Sequence, residues 1–170
     1  MERQVDSTKE TEMRATVAAT AVLVIDLQPV FLEVVEAGKK LRLRNSLLLE
    51  TAALTGMKTY LTEQVPEKLG EFDEELLSLA PSAPRFAKSA FSAFGAEGLE
   101  DALRTEGIQH LLLAGVETSV CVHQTALHNF RCRNRLVVIF SLCCRCDNRF
   151  IKLLIFYHAI GQYITTEVPH

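Results

Sequence analysis

Three side chains that could act together in catalysis lie at separate points of the sequence. Asp26 directly follows the apolar run 20-TAVLVI-25, Lys88 lies among apolar neighbours in 85-RFAKSAFSAF-94, and Cys121 stands shortly after Gly115. A thiol becomes a good nucleophile when it ionises, which a nearby cation or a helix N-terminus favours. Asp26 could accept the thiol proton and later return it to a leaving group. The trio therefore indicates nucleophilic catalysis by Cys121.

Polar groups near these residues extend the candidate site. The turn 115-GVET-118 would supply backbone N–H groups, which suit a developing oxyanion. Gln28, Glu63 and Gln64 follow the first two strand-like runs, where they either contact substrate or only hold loop backbone. Taken singly, a cysteine after a strand is commonly a small buried hydrophobe, an aspartate a turn residue and a lysine a surface charge.

The elements that must position these residues alternate along the chain. Helical spacing is found around residues 47–54 and 76–80, and we expect helices at 96–107, 119–131 and 147–160. This alternation predicts a three-layer α/β/α fold with a doubly wound, mainly parallel sheet of five to six strands. Sites in such folds form beyond the carboxyl ends of the strands. The predicted strands are 20-TAVLVI-25, 57-MKTYLT-62, 110-HLLLAG-115, 135-RLVVIF-140 and 162-QYITT-166.

Length and composition indicate one globular domain. The chain has 170 residues, of which 48% are hydrophobic and 23% charged, and its net charge is −3. No basic stripe points to nucleic acid, and the apolar runs are shorter than the about 18 residues that span a membrane. Residues 1–16 are polar and are predicted to be disordered, whereas 17–170 form the domain. No signal peptide is evident, so a cytoplasmic location is expected.

The cysteines do not form a disulfide framework. There are five, an odd number, and Cys143, Cys144 and Cys146 crowd together in 143-CCRC-146. Reduced thiols are expected. A zinc site that also uses Cys132 is a minority interpretation, because structural zinc usually takes two spaced pairs of ligands.

Four motifs in order resemble the isochorismatase-like superfamily of cysteine hydrolases. They are 22-VLVIDLQ-28, 61-LTEQVPEKLG-70, 88-KSAFSAF-94 and 112-LLAGVETSVCVHQTA-126. Each motif alone would be weak, but together they are specific across roughly residues 20–130. The second and third motifs are most similar to the branch of isochorismatase-domain-containing proteins.

This resemblance implies a catalytic triad of Asp26, Lys88 and Cys121. It also implies a cis peptide between Val116 and Glu117, with the amides of Glu117 and Cys121 forming the oxyanion hole. Nicotinamidases of the superfamily bind a divalent ion through histidines after the second strand, but residues 63–75 contain no histidine. We therefore expect no metal and no cofactor. The expected partners are a small-molecule substrate and, by resemblance, further copies of the chain, with no nucleic acid and no membrane.

The chain departs from the family pattern after about residue 131. Relatives usually have an acidic residue and small residues after the fifth strand, where this chain reads 139-IFSLCCRCDNRF-150. Two functions therefore stay open. The first is a metal-independent cysteine hydrolase that cleaves an amide-type C–N bond through a thioester. The alternative is a non-catalytic scaffold or binding protein on the same fold.

Overall fold

A computed structural model of the protein describes residues 16–35, 38–116, 118–133, 137–141, 154–156 and 164–165. Most of the N-terminal segment expected to be disordered lies outside this range. Within it, Thr16 caps a short 3₁₀ helix, Val17–Ala19, by accepting a hydrogen bond from the N–H of Ala19. No helix among the described residues combines the length and the apolar composition needed to cross a membrane.

The described strands form one sheet in the order β3-β2-β1-β4-β5-β6-β7. Strands β1 to β5 pair in parallel, whereas the short strands β6 and β7 are antiparallel to their neighbours. The strands are β1 (Thr20–Ile25), β2 (Lys58–Gln64), β3 (Arg85–Lys88), β4 (His110–Gly115), β5 (Val137–Ser141), β6 (Leu154–Phe156) and β7 (Ile164–Thr165).

Helices connect the parallel strands. Two of them begin with a proline in the first turn, where its missing N–H has no helical partner to lose. The helices are α1 (Pro29–Val34), α2 (Gly38–Thr55), α3 (Pro66–Leu69), α4 (Glu74–Ser78), α5 (Leu99–Thr105) and α6 (His123–Arg133). A second 3₁₀ helix spans Ala93–Gly95, and a π-helical turn, Thr118–Val122, precedes α6.

The two faces of β1 pack against different sets of helices. Leu23 and its alternate neighbours lie in one core with residues of α5 and α6, such as Leu103 and Ala126. Val24 lies in a second core with residues of α2 and α4, such as Leu49 and Leu76. All six residues of β1 are buried, as expected for a central parallel strand. The predicted α/β fold with a mainly parallel sheet is therefore confirmed.

Three details differ from the sequence prediction. The sheet has seven strands in the described part of the chain, against the five to six expected. Strand β3 (Arg85–Lys88) was not predicted, because RFAK is too short and too polar to show a strand pattern. The helix expected over 147–160 is wrong at Leu154–Phe156, which form β6. Short apolar runs fit a helix and a strand equally well, and here pairing with β5 decides.

The strand order reverses between β1 and β4. Strands β2 and β3 lie on one side of β1, and β4 and β5 lie on the other. At the carboxyl ends, Ile25 pairs with Gly115 of β4 and with Thr62 of β2. A Cβ at Gly115 would collide with the Ile25 carbonyl oxygen, so glycine permits the close approach of β4. Crevices at such reversals are where open α/β sheets bind ligands.

Candidate active site

Asp26 stands at the carboxyl end of β1 in an unusual backbone conformation. Its φ is +57°, in the left-handed region that aspartate tolerates better than most residues. Its N–H donates to the Thr62 carbonyl oxygen at 3.0 Å, and its Oδ1 accepts from the Thr62 hydroxyl at 2.9 Å. Two bonds to one residue of β2 therefore hold the carboxyl over the strand ends.

Lys88 reaches Asp26 from the last residue of β3. Its Nζ donates to Asp26 Oδ2 at 2.6 Å, to Gln64 Oε1 at 2.5 Å and to the Ala90 carbonyl oxygen at 3.1 Å. The Lys88 side chain is 0% exposed and that of Asp26 is 3% exposed. A buried ion pair of this kind is stable only when hydrogen bonds satisfy its remaining groups, as they do here.

Cys121 completes the cluster from the π-helical turn Thr118–Val122. Its Sγ lies 3.8 Å from Lys88 Nζ, and its thiol is in hydrogen-bonding range of the Asp26 carboxyl. The cysteine is buried. Its carbonyl oxygen accepts from the Thr125 hydroxyl at 2.7 Å. The π-turn thus places a thiol against both an ammonium and a carboxylate; such turns are frequent at functional sites.

Burial raises the pKa of the Asp26 carboxyl above its usual value. The hydrogen bonds and charge of Lys88, together with the bonds from Thr62 and Cys121, act in the opposite direction but are outweighed. A carboxylate with a raised pKa is a stronger base than one in water. This environment therefore suits a group that must take a proton from a thiol.

The three residues predicted for a substrate loop have separate positions. Gln64 contacts Lys88 directly. The buried Gln28 amide instead clamps backbone: it accepts from the Gln64 N–H and donates to the carbonyl oxygens of Gln64 and Gly70. Glu63 accepts from the Phe72 N–H at 2.8 Å and pairs with Arg85. In this structure the side chains of Gln28 and Glu63 hold the loop after β2.

Some predicted groups lie outside the described residues. They include Glu117, and with it the expected cis peptide and one N–H of the expected oxyanion hole, as well as the cluster of Cys143, Cys144 and Cys146. Val116 is described: it is buried, and its N–H donates to the Ile25 carbonyl oxygen at 3.1 Å. No group of three or more potential metal ligands occurs in the part of the chain that is described.

Two threonines outside the predicted set of residues support the site. Thr62 holds Asp26, and Thr125 links the turn of Cys121 to the loop after β3 by accepting from the Ala93 N–H at 2.9 Å. Thr62 could have been found from its position at a strand end beside Asp26. Thr125 stands one helical turn after Cys121, a spacing at which a hydroxyl can bond a preceding carbonyl oxygen.

Known proteins match both the sequence and the fold. The Isochorismatase domain family matches residues 20–152. Isochorismatase domain-containing protein 1 of Danio rerio is 40% identical over 81 residues, which cover 47% of this chain and 28% of that protein. Ureidoacrylate amidohydrolase RutB of Caulobacter vibrioides is 38% identical over 64 residues, which cover 36% of this chain and 28% of that protein.

A solved structure agrees with these relatives. The YcaC protein of Escherichia coli, described as an octameric hydrolase of unknown specificity, superposes with a TM-score of 0.67 at 29% identity. The match covers 75% of this chain and 64% of that one. The matched part covers only 28% of each of these two curated relatives, and the family match over residues 20–152 includes Asp26, Lys88 and Cys121. The chain belongs to the isochorismatase domain family.

Proposed function

We propose that this protein is a cysteine hydrolase that cleaves an amide-type C–N bond of a small molecule without a metal ion. The observation that carries the proposal is the buried contact of Asp26, Lys88 and Cys121 at the sheet's switch point. A nucleophile beside a base that is itself held by a third group is the arrangement expected for covalent catalysis. The oxyanion-hole role of the Glu117 and Cys121 N–H groups belongs to the same proposal.

The reaction balances with these groups alone. Asp26 takes the Cys121 proton as the sulfur attacks the substrate carbonyl carbon. The C–N bond then breaks, Asp26 returns the proton to the departing amine, and a thioester remains. Water, deprotonated by Asp26, attacks the thioester and releases the acid, and Cys121 recovers a proton. Lys88 stays protonated throughout and balances the negative charge that moves between sulfur and carboxylate.

The substrate class rests on relatives as well as on the site. RutB is by name an amidohydrolase, and YcaC is described as a hydrolase. Metal independence rests on the loop after β2, where three carboxylates, those of Glu63, Glu71 and Asp73, already have partners. Asp73 accepts from the Leu76 N–H and pairs with Arg42, and Glu63 and Glu71 both pair with Arg85. These carboxylates serve the loop itself.

We propose in addition that the protein forms a homo-oligomer. The support is YcaC, which is described as octameric and shares the fold over 75% of this chain. A 2-fold or higher symmetric assembly of one chain is the commonest form of soluble oligomer.

Trapping of an acyl-enzyme tests the hydrolase proposal. The protein is incubated with a panel of small amides and ureides, quenched in acid and analysed by peptide mass spectrometry. We expect an acyl adduct on Cys121, no adduct after Cys121→Ala, and the same adduct in the presence of a strong chelator. Turnover of a substrate by Cys121→Ala at the wild-type rate would exclude the thioester mechanism, whereas neither adduct nor turnover with any compound of the panel would favour the scaffold function. Loss of turnover on chelation, restored by zinc or manganese, would exclude metal independence.

A further inference from the structure

We infer that Gln64 is a positioning residue that keeps the Lys88 ammonium directed at Asp26 and Cys121. The inference rests on the proposed function, which it deepens, because it identifies what holds the cation of the site in place. It starts from the contact between Gln64 Oε1 and Lys88 Nζ at 2.5 Å.

The Lys88 ammonium has three N–H donors and four acceptors within reach. Asp26 Oδ2, Gln64 Oε1 and the Ala90 carbonyl oxygen lie 2.5–3.1 Å from Nζ, whereas the Cys121 sulfur lies at 3.8 Å. The three short hydrogen bonds fix the position of Nζ, and the longer interaction with the sulfur depends on that position. The groups that fix Nζ therefore control the stabilisation of a thiolate.

Asp26 and Gln64 differ in how constantly they attract the ammonium during the proposed reaction. Asp26 changes its protonation during the proposed reaction, so its attraction for Lys88 varies along the cycle. Gln64 carries no charge at any pH and cannot accept the ammonium proton. It is therefore a constant acceptor, which holds Nζ while Asp26 is transiently neutral. The Ala90 carbonyl oxygen does the same from the Lys88 side of the loop.

The Gln64 side chain is itself held in one orientation. Its Nε2 donates to the Ser89 carbonyl oxygen at 3.2 Å, which leaves Oε1 facing Lys88. The buried Gln28 amide grips the Gln64 backbone on both sides, accepting from its N–H at 2.7 Å and donating to its carbonyl oxygen at 3.1 Å. The amide orientation follows from this network.

The backbone after Gln64 is strained. Val65 has a φ of +41°, which is an outlier for a β-branched residue. Its N–H donates to the Lys88 carbonyl oxygen at 2.9 Å, so the strained residue is tied to the strand that carries Lys88. Strain of this kind persists only where the surrounding structure over-determines it, and it clusters at functional sites. The loop therefore contacts Lys88 twice, through the Gln64 side chain and through the Val65 N–H.

The test follows the alkylation of Cys121 by iodoacetamide from about pH 5 to pH 9, a range that includes the free-cysteine pKa of about 8.5. Peptide mass spectrometry resolves Cys121 from the other cysteines. In the described part of the chain, the titratable groups that contact the ammonium are Asp26 and Cys121, while the nearby Glu63 is turned to Phe72 and Arg85. The profile therefore reports on this cluster.

Two substitutions distinguish positioning from packing. Gln64→Met keeps the length of the side chain but removes the acceptor, and we expect about tenfold slower alkylation at mildly acidic pH because a charge-assisted hydrogen bond is lost. Gln64→Glu keeps the shape and the acceptor but adds a negative charge. We expect it to move the midpoint of the profile to higher pH, because a second carboxylate disfavours the thiolate. Gln109→Met, at an exposed position, is the matched control and should react as wild type.

The experiment distinguishes a failure of the Gln64 inference from a failure of the hydrolase proposal. If wild-type Cys121 reacts no faster than Cys132, the proposed nucleophile is wrong. If wild-type Cys121 is activated and both Gln64 variants keep the wild-type profile, the role of Gln64 is wrong while the hydrolase proposal stands. Circular dichroism checks folding. Should Gln64→Met not fold, the profile of the isosteric Gln64→Glu decides alone.

Discussion

At the scale of single residues, Asp26 combines three features. It is buried, it has a positive φ, and it contacts the ammonium of Lys88 and the thiol of Cys121. Desolvation raises the pKa of its carboxyl despite the adjacent cation. Burying a charged group costs stability even when it is paired. The position of this aspartate therefore has a cost in stability, which is consistent with its proposed role as the base.

The raised pKa of Asp26 predicts a particular pH dependence of stability. Between its ordinary pKa of 3.8 and its raised value, the folded state binds more protons than the unfolded state. The contribution of Asp26 to stability is thus fully present below 3.8 and is lost as the pH rises through the raised pKa. We expect wild type to lose stability relative to Asp26→Asn over this window. Urea unfolding of both proteins across the acidic range measures the difference, and a gain in the stability of wild type relative to Asp26→Asn as the pH rises would contradict the assigned direction.

At the scale of elements, the site depends on a link between two segments that are not paired in the sheet. Thr125 of α6 donates to the Cys121 carbonyl oxygen at 2.7 Å and accepts from the Ala93 N–H at 2.9 Å. Ala93 begins the 3₁₀ helix that follows β3, the strand of Lys88. Thr125 is 0% exposed, so no solvent can replace these bonds. One hydroxyl therefore connects the turn of Cys121 with the loop that follows Lys88.

Removal of that hydroxyl should destabilise the protein and disturb the site. Thr125→Val keeps the shape of the side chain but removes the acceptor of the buried Ala93 N–H and a donor to the Cys121 carbonyl oxygen, which costs about 1–3 kcal/mol. We expect a lower free energy of unfolding together with slower alkylation of Cys121. Thr125→Ser retains the hydroxyl and should reproduce the alkylation rate of wild type. Equal free energies of unfolding of wild type and Thr125→Val in urea would show that the hydrogen bonds of Thr125 do not stabilise the protein.

At the scale of the whole molecule, apolar surface remains on the side of α2 that faces away from the core. Leu43, Leu47 and Leu54 are 61%, 56% and 89% exposed, whereas Leu41, Leu49 and Ala52 of the same helix are buried. A helix with apolar residues on both sides is usually covered on both. This surface is consistent with the proposed homo-oligomer.

Light scattering of the purified protein checks the oligomer. We expect a mass that is a multiple of the 19.0 kDa chain and that persists on dilution to low micromolar concentration. Leu47→Glu introduces a charge into this exposed apolar surface and should lower the measured mass. Glu50→Gln, one turn away, is the control and should leave the mass unchanged. A monomeric mass for the wild-type protein at every concentration would refute the assembly.

The sequence by itself determined the fold class and the identity of the candidate residues. Alternating apolar runs and helical spacing are local patterns, and they were sufficient to predict an α/β domain with a mainly parallel sheet. The four motifs were sufficient to predict the family and to single out Asp26, Lys88 and Cys121. Local patterns also failed in identifiable places, since neither β3 nor β6 shows a strand signal that can be separated from its surroundings.

Only the tertiary structure decided how these residues meet. Asp26 and Lys88 are 62 residues apart in sequence, and their contact depends on β2 lying between β1 and β3 with Gln64 in register with Lys88. This register directs Gln64 to Lys88, and the separate pairing of β1 with β2 brings Gln28 to the backbone of Gln64, although the sequence makes these two glutamines look alike. Strand order and register arise from long-range packing, which no local pattern encodes. The site therefore becomes specific only when the sheet is assembled.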